Sequence, residues 1–152
     1  MTKRVYIAKT NQGSQGSGIK LLYSYKDLTI SKNVARSDDQ VVQRYVNDPL
    51  LIDNKKHDLR LYVTITSVDP LVAYINEEGL ARFCVLDYES TSESNKDEVG
   101  MHLTNYSMNK GFEEYVYTNQ VEGIHTGTKR TLKSYWASVE REGHNVLQVR
   151  QI

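Results

Sequence analysis

The chain has 152 residues, a single cysteine, and equal numbers of basic and acidic side chains, 19 of each. That length suits one domain or one and a half and is enough to bury an ordinary core. The charge balance supplies no bulk field toward nucleic acid or an acidic membrane, one cysteine excludes an internal disulfide, and no run approaches the ~18 apolar residues of a membrane span. The apolar segment in "MTKRVYIAK" is too short for a signal peptide. It begins almost at Met1 without a lead-in, which is unusual for a free-standing domain. Lone Cys84, inside "ARFCVL", reads as a buried packing thiol and argues for a reducing compartment.

In chain order, "RVYIAKT" and "GIKLLYS" predict two strands joined by a glycine-rich loop, a hairpin over residues 4–24. The polar stretch "SYKDLTISKNVARSDDQ" predicts one short helical turn before a strand at "QVVQRYV". Turn signals in "NDPLLIDNKKHD" mark a lobe junction near residues 43–49. "LRLYVTITSVDPLVAYINEEGLARFCV" predicts two or three strands, with a hairpin turn at "EEG". Acidic, serine-rich "DYESTSESNKDEV" predicts a solvated or mobile loop, and "GFEEYVYTNQVEGIHTGTKR" a second polar stretch. In "TLKSYWASVEREGHNV", Leu132, Tyr135, Trp136 and Val139 fall at helical spacing, with Gly143 as the stop. The expected fold is α+β, a mostly antiparallel sheet with few helices.

Several segments carry side chains suited to chemistry, and each also has an ordinary structural reading. Lys9 followed by "GSQGSG" could cradle a phosphate through converging backbone N–H groups, or could be a mobile hairpin turn. It is not a P-loop, because no Gly-Lys-Ser/Thr follows. "QRYV", residues 43–46, is either a strand crossing between lobes with free backbone groups for a base edge, or a plain strand end. In "KKHDLRLYV", Lys56, Asp58 and Arg60 are charged, and Asp58 and Arg60 project from one face of a strand. They form a surface pair or part of a charged cleft. Arg82 lies alone among apolar residues, as an arginine does when it snorkels to solvent or is held for a carboxylate or phosphate. "HLTNYS", residues 102–107, is a polar turn or a set of ligand contacts. His102, between Met101 and Leu103, could equally be a satisfied core histidine, and the four histidines, His57, His102, His125 and His144, have no zinc spacing. "GTKRTLK" opens the final helix with basic charge against its dipole, which invites an anionic partner or a solvated patch.

The order of these segments is more specific than any one of them. Lys9, "GSQGSGI", "VVQRYVNDPLLID", "KHDLRLYV", "GLARF" and "MHLTNYSMNK" follow one another as in the tubulin–tyrosine ligase-like family, and the resemblance covers residues 4–142. "DLRLYVTITSVDPL", "EEGLARF" and "MHLTNYSMNK" are its most specific strings, and among family members the chain is most similar to the tubulin polyglutamylases.

The resemblance implies a partial ATP-grasp fold in a single truncated domain, with residues 1–46 in the central lobe and 47–152 in the C-terminal lobe. It implies ATP-dependent joining of an amino acid, glutamate by preference, to glutamate side chains of tubulin tails through an acylphosphate. Lys9, Ser17 and Gly18 would meet the nucleotide phosphates, Gln43, Arg44, Tyr45 and Val46 the adenine, and Lys56, Asp58, Thr104 and Asn105 other parts of the nucleotide. Arg60 and Arg82 would be catalytic, facing the reacting phosphate and the donor. Arg82, Tyr106, Ser107 and Lys129 would take the donor amino acid. A fork such as Arg82's suits an α-carboxylate, positive groups stabilise a transferring phosphoryl, and no nucleophile constellation is needed.

The expected cofactors are ATP and Mg²⁺, and the expected partners are tubulin or microtubules and free L-glutamate, with no nucleic acid and no membrane. The expected location is the cytoplasmic microtubule cytoskeleton, a cilium or a basal body. The chain departs from the family pattern at Ser17, where arginine is common, and at Thr10, where proline is common. The family's acidic magnesium ligands are expected beyond Ile152, so the 152-residue chain is expected to be a poor catalyst. Three other readings stay open: a non-catalytic nucleotide- or tubulin-binding module, a glycine- or tyrosine-adding ligase, and a ligase for a non-tubulin carboxylate.

Overall fold

A computed structural model describes residues 4–11, 13–28, 40–116 and 127–151. Residues 29–39 and 117–126, which include His125 and parts of the two polar stretches, lie outside them. The described residues form two antiparallel sheets. The first has order β2-β1-β3, from β1 (Tyr6–Thr10), β2 (Lys20–Leu22) and β3 (Gln40–Arg44), with a 3-10 turn at Tyr25–Leu28. The second has order β4-β5-β6-β7, from β4 (Leu51–Ile52), β5 (Lys55–Val68), β6 (Leu71–Phe83) and β7 (Lys129–Thr131). Short helices α1 (Val99–His102) and α2 (Tyr106–Asn109) follow the second sheet's long strands, and α3 (Leu132–Arg141) and α4 (Val146–Arg150) end the chain.

Alternation places the cores. Val5, just before β1, and Ile7 within it point inward and pack with Leu21, Tyr23 and Tyr45. Leu103, just after α1, packs against this cluster and so ties the later part of the chain to the first sheet. The second core lies between the second sheet and α3, where Ala81, Phe83, Ile52, Tyr135 and Val139 are all buried. The expected helix begins at Leu132, one residue after the start of its segment. The Thr131 hydroxyl caps it by accepting from the Ser134 N–H at 3.2 Å, and it stops before Gly143, whose N–H donates to the Glu140 carbonyl.

Two expectations are corrected. "EEG" is not a turn: β6 runs unbroken through Glu77, Glu78 and Gly79, and the β5–β6 hairpin reverses at Asp69–Pro70, where Val68 pairs with Leu71. Gly79 serves close packing instead. A Cβ there would lie 2.6 Å from the Arg60 carbonyl oxygen and 2.8 Å from Leu132 Cδ1. The second correction concerns "GTKR". Lys129 and Arg130 lie in β7, not in the first turn of a helix, so the dipole argument for an anion there fails. Arg130 is buried, pairs with Asp53 at 2.6 Å and sits 4.0 Å from the Phe83 ring centre.

The segment "DYESTSESNKDEV" has little regular structure but is tied down at several points. Tyr88 Oη donates to the Asn47 carbonyl, Thr91 Oγ1 to Asn47 Oδ1, and Lys96 Nζ pairs with Asp27 at 3.4 Å. Cys84 is fully buried, and burial pushes its thiol up to about 12, so it packs rather than reacts. No helix among the described residues is long and apolar enough to cross a membrane.

Candidate functional site

Strand alternation sorts β5 and β6 into two faces. Leu59, Ala81 and Phe83 face the core under α3, so Asp58, Arg60, Leu80 and Arg82 face the other way. Register then aligns a charged row across three strands, because Asp58 pairs with Arg82 and Arg82 pairs with Lys129. The Asp58 carboxylate accepts from Arg82 Nε at 2.8 Å and from Arg82 Nη2 at 2.5 Å. The expected same-face placement of Asp58 and Arg60 holds, but Asp58 takes its partner from the neighbouring strand. Its hydrogen bond holds the Arg82 guanidinium above its ordinary range.

Arg82 and Lys129 of this row border a cavity of about 430 Å³ together with Arg60, Thr104 and Tyr106. Those residues come from four separate stretches of sequence. The Tyr106 ring stands edge-on to Tyr115, with ring centres 5.6 Å apart.

Lys56 occupies a second, more buried position. Its ammonium donates to Tyr45 Oη at 2.9 Å and to the His102 carbonyl at 2.8 Å, and lies 4.5 Å from the centre of the Tyr45 ring. Tyr45 Oη and His102 Nδ1 are 3.0 Å apart, and His102 Nε2 is 2.9 Å from the Asn95 carbonyl. A carbonyl can only accept, so Nε2 carries the proton and Nδ1 accepts from Tyr45. The result is a directed chain from Lys56 to Tyr45 to His102 to Asn95. Burial lowers the Lys56 pKa, and the positive charge of Lys9 adds a smaller lowering. Burial also lowers the pKa of His102, with Lys56 adding to the shift. It is the first cause for His57 too, whose Nε2 meets Tyr135 Oη at 2.9 Å.

The glycine loop closes against α2. Gln15, with φ of 59°, presents its carbonyl to the Ser107 hydroxyl at 2.8 Å. Gly16 has φ of +91°, and a Cβ on it would lie 2.8 Å from Met108 Cγ and 3.3 Å from the Asn105 amide. A side chain at that position would hold the loop away from the "TNYSM" segment. The structure therefore brings Gln15 and Gly16 of the loop against Asn105, Ser107 and Met108, whereas a Cβ on Gly18 would meet Thr10.

Gln43 and Arg44 are exposed on β3, the edge strand, paired with Ile7 and Tyr6. The Tyr45 N–H is engaged by the Val5 carbonyl at 2.9 Å and its side chain turns into the Lys56 chain, while Val46 is exposed. Of this segment, the side chain of Tyr45 is thus the part that joins the site.

Two roles are not legible in the sequence. His102 is buried with both ring nitrogens partnered, in keeping with a satisfied core histidine, but its link to Lys56 through Tyr45 depends on packing. Asn109, at the end of "HLTNYSMN", is 1% exposed and borders the 430 Å³ cavity. Its Nδ2 donates to the Leu103 carbonyl at 2.7 Å, whereas its Oδ1 is buried without a hydrogen-bond partner among the described residues. An unmade hydrogen bond of this kind costs about 1–3 kcal/mol. The only hint in the sequence is a second asparagine, four residues after Asn105.

Among the described residues, no group of three His, Cys, Asp or Glu side chains could hold a metal ion. Asp58, the acidic residue of the charged row, has both oxygens committed to Arg82. Mg²⁺ does not fit these residues.

Comparison with known proteins adds the family. The model of the tubulin-tyrosine ligase family matches residues 1–151. The chain is 41% identical over 143 residues to the tubulin polyglutamylase ttll-11 of Caenorhabditis elegans, covering 93% of this chain and 20% of that protein. It is 38% identical over 146 residues to human tubulin polyglutamylase TTLL6, covering 96% of this chain and 15% of that protein. It is 40% identical over 144 residues to a probable beta-tubulin polyglutamylase of Tetrahymena thermophila, covering 95% of this chain and 12% of that protein. The chain thus spans a fifth or less of the length of these relatives. With the family model matched over nearly its whole length, the chain belongs to the tubulin-tyrosine ligase family.

Proposed function

We propose that this chain is the nucleotide- and donor-binding portion of a tubulin polyglutamylase, and that its two sheets, residues 6–44 and 51–131, are parts of the two lobes of an ATP-grasp fold. The observation that carries the reading is the cavity at the Asp58–Arg82–Lys129 row, walled by Arg60, Thr104 and Tyr106 and joined to the glycine loop through Ser107 and Gln15. Its cations suit carboxylates and phosphates, and its neighbours in space are the segments that resemble the family's ligand contacts.

In this reading Lys9, Ser17 and Gly18 hold the phosphates, with Lys56, Asp58, Thr104 and Asn105 on the rest of the nucleotide. Gln43, Arg44, Tyr45 and Val46 flank the adenine. ATP, when bound, supplies the phosphoryl group that activates the acceptor carboxylate as an acylphosphate. The chain's own residues position and neutralise. Lys9 and Lys56 place positive charge on one side, and the Lys56 ammonium is held by Tyr45 and by the His102 carbonyl. Arg60 offers an exposed guanidinium at the cavity, where fixed charge stabilises developing negative charge. Arg82 is aimed by Asp58 and keeps further N–H groups for the donor's carboxylate, with Tyr106, Ser107 and Lys129 around it. No step is derived through Mg²⁺. The partners in this reading are L-glutamate, ATP and tubulin in the microtubule cytoskeleton of cytoplasm or cilium. The 152-residue chain alone ligates poorly.

Calorimetric titration of ATP into the chain and into its Lys9→Ala variant tests the reading. The expected result is weak binding by the chain that disappears in the variant. Failure of the unaltered chain to bind ATP overturns the nucleotide site. A ligation assay with ATP, Mg²⁺, labelled glutamate and microtubules, run beside a longer family member, tests the weak activity. Robust turnover by the short chain refutes it.

A further inference from the structure

The cavity beside Arg82 is rich in cationic donors: Arg60, Arg82 and Lys129 only donate, while the hydroxyls of its threonines and tyrosines can donate or accept. Asn109 adds an acceptor of another kind. Its amide cannot be turned the other way, because the Leu103 carbonyl at 2.7 Å requires the NH₂ group on that side. The carbonyl oxygen Oδ1 is therefore the free end, buried and without a partner among the described residues, on a residue that borders the cavity and is 1% exposed. Buried acceptors in folded proteins are nearly always paired, so this one calls for a donor brought from outside.

A complementary ligand must present acceptors to Arg60 and Arg82 and an N–H to Asn109. An amino acid with a free amino group has both. We propose that Asn109 Oδ1 accepts an N–H from the amino group of the donor amino acid, so that Asn109 distinguishes an amino acid from the plain carboxylic acid of the same length. The inference rests on the donor-site reading above and adds the residue that recognises the amine. Asn109 and the arginines divide the ligand between them: guanidinium groups take the carboxylates, and a neutral amide oxygen takes the nitrogen. A carboxylate in place of the amide would also attract the amine, but would add negative charge beside the arginines. The neutral acceptor leaves their field intact for the ligand's own carboxylates.

The test is titration of the 152-residue chain with L-glutamate and with glutarate, which lacks the amino group. The chain is expected to prefer L-glutamate about tenfold, the worth of one hydrogen bond to a charged group. Asn109→Leu should bring that ratio close to one while glutarate affinity holds, and Asn109→Asp should keep a preference for L-glutamate. A role confined to folding would lower stability and both affinities together, and would leave the ratio unchanged. As a measurement free of any variant, the Asn109 side-chain amide resonance should shift on adding L-glutamate and not on adding glutarate. Equal binding of the two ligands by the unaltered chain overturns the role of Asn109 and leaves the donor site standing. A preference that persists in Asn109→Leu does the same. Absence of binding to both ligands overturns the donor-site reading and the inference with it.

Discussion

Asp58 and Arg82 face each other across β5 and β6, with two hydrogen bonds of 2.8 Å and 2.5 Å joining the carboxylate to the guanidinium. Their side chains remain 39% and 27% exposed, so solvent screens the pair. Breaking it with Arg82→Lys should cost no more than about 1 kcal/mol in urea unfolding. The same variant loses the planar fork and should weaken L-glutamate binding about tenfold or more. A large stability loss with unchanged glutamate affinity would show that the pair serves the fold alone.

The Lys56–Tyr45–His102 chain should behave in the opposite way. Tyr45→Phe removes a hydroxyl that serves both Lys56 Nζ and His102 Nδ1, leaving buried groups unpaired. The expected destabilisation is about 1–3 kcal/mol by denaturant midpoint. Tyr6→Phe, on an exposed ring, should change stability by less than about 0.5 kcal/mol. Similar small effects at both positions would contradict the chain.

Acid should weaken the fold through the same imidazoles. Burial lowers the pKa of His57 and of His102 below the ordinary 6.5, so the unfolded chain binds more protons than the folded one as pH falls through that value. Stability should be full above about pH 6.5 and decline below it, by up to about 1.4 kcal/mol per pH unit for each imidazole. Urea midpoints at a series of pH values from neutral to mildly acidic measure this. Replacing His102 with Gln should flatten the slope, and an unchanged slope would remove His102 from the account.

Gly79 and Gly111 offer a matched pair of glycine-to-alanine changes. At Gly79 the new methyl group meets the Arg60 carbonyl at 2.6 Å and Leu132 at 2.8 Å, whereas nothing lies within 4 Å of a Cβ at Gly111. Gly79→Ala should lose about 1–3 kcal/mol, and Gly111→Ala should stay within about 0.5 kcal/mol. Thermal unfolding of the two variants side by side checks the difference.

Local pattern made some parts of this molecule readable from sequence and left others hidden. The first hairpin, β3 and α3 follow from composition, from periodicity and from the stop at Gly143, because those signals act within a few residues. The second hairpin was misread at Glu77-Glu78-Gly79, although Asp69-Pro70 carried the genuine turn signal a few residues earlier. A glycine required by side-to-side crowding looks the same in sequence as one required by a turn. For the site, the common face of Asp58 and Arg60 was legible from the strand period of two. The Asp58–Arg82 pairing was not, since it depends on a register with irregularities between Leu61 and Val63 and between Ile65 and Ser67. Tyr45 and His102 are separated by 57 positions and meet only through packing between the first sheet and α1. Asn109 was hidden because its informative atom is the one that lacks a partner.

The alternation of β6 makes chain length near the site unforgiving. Ala81 and Phe83 bury themselves under α3 while Arg82 between them reaches the cavity. Inserting or deleting one residue between Gly79 and Phe83 would exchange inside for outside, setting a guanidinium among Tyr135 and Val139 and a phenyl ring in the cleft. At the hairpin tip, where Val68 and Leu71 are 83% and 70% exposed, the same insertion meets only water. A library of single-residue indels should therefore survive at the tip and vanish within two residues of Arg82.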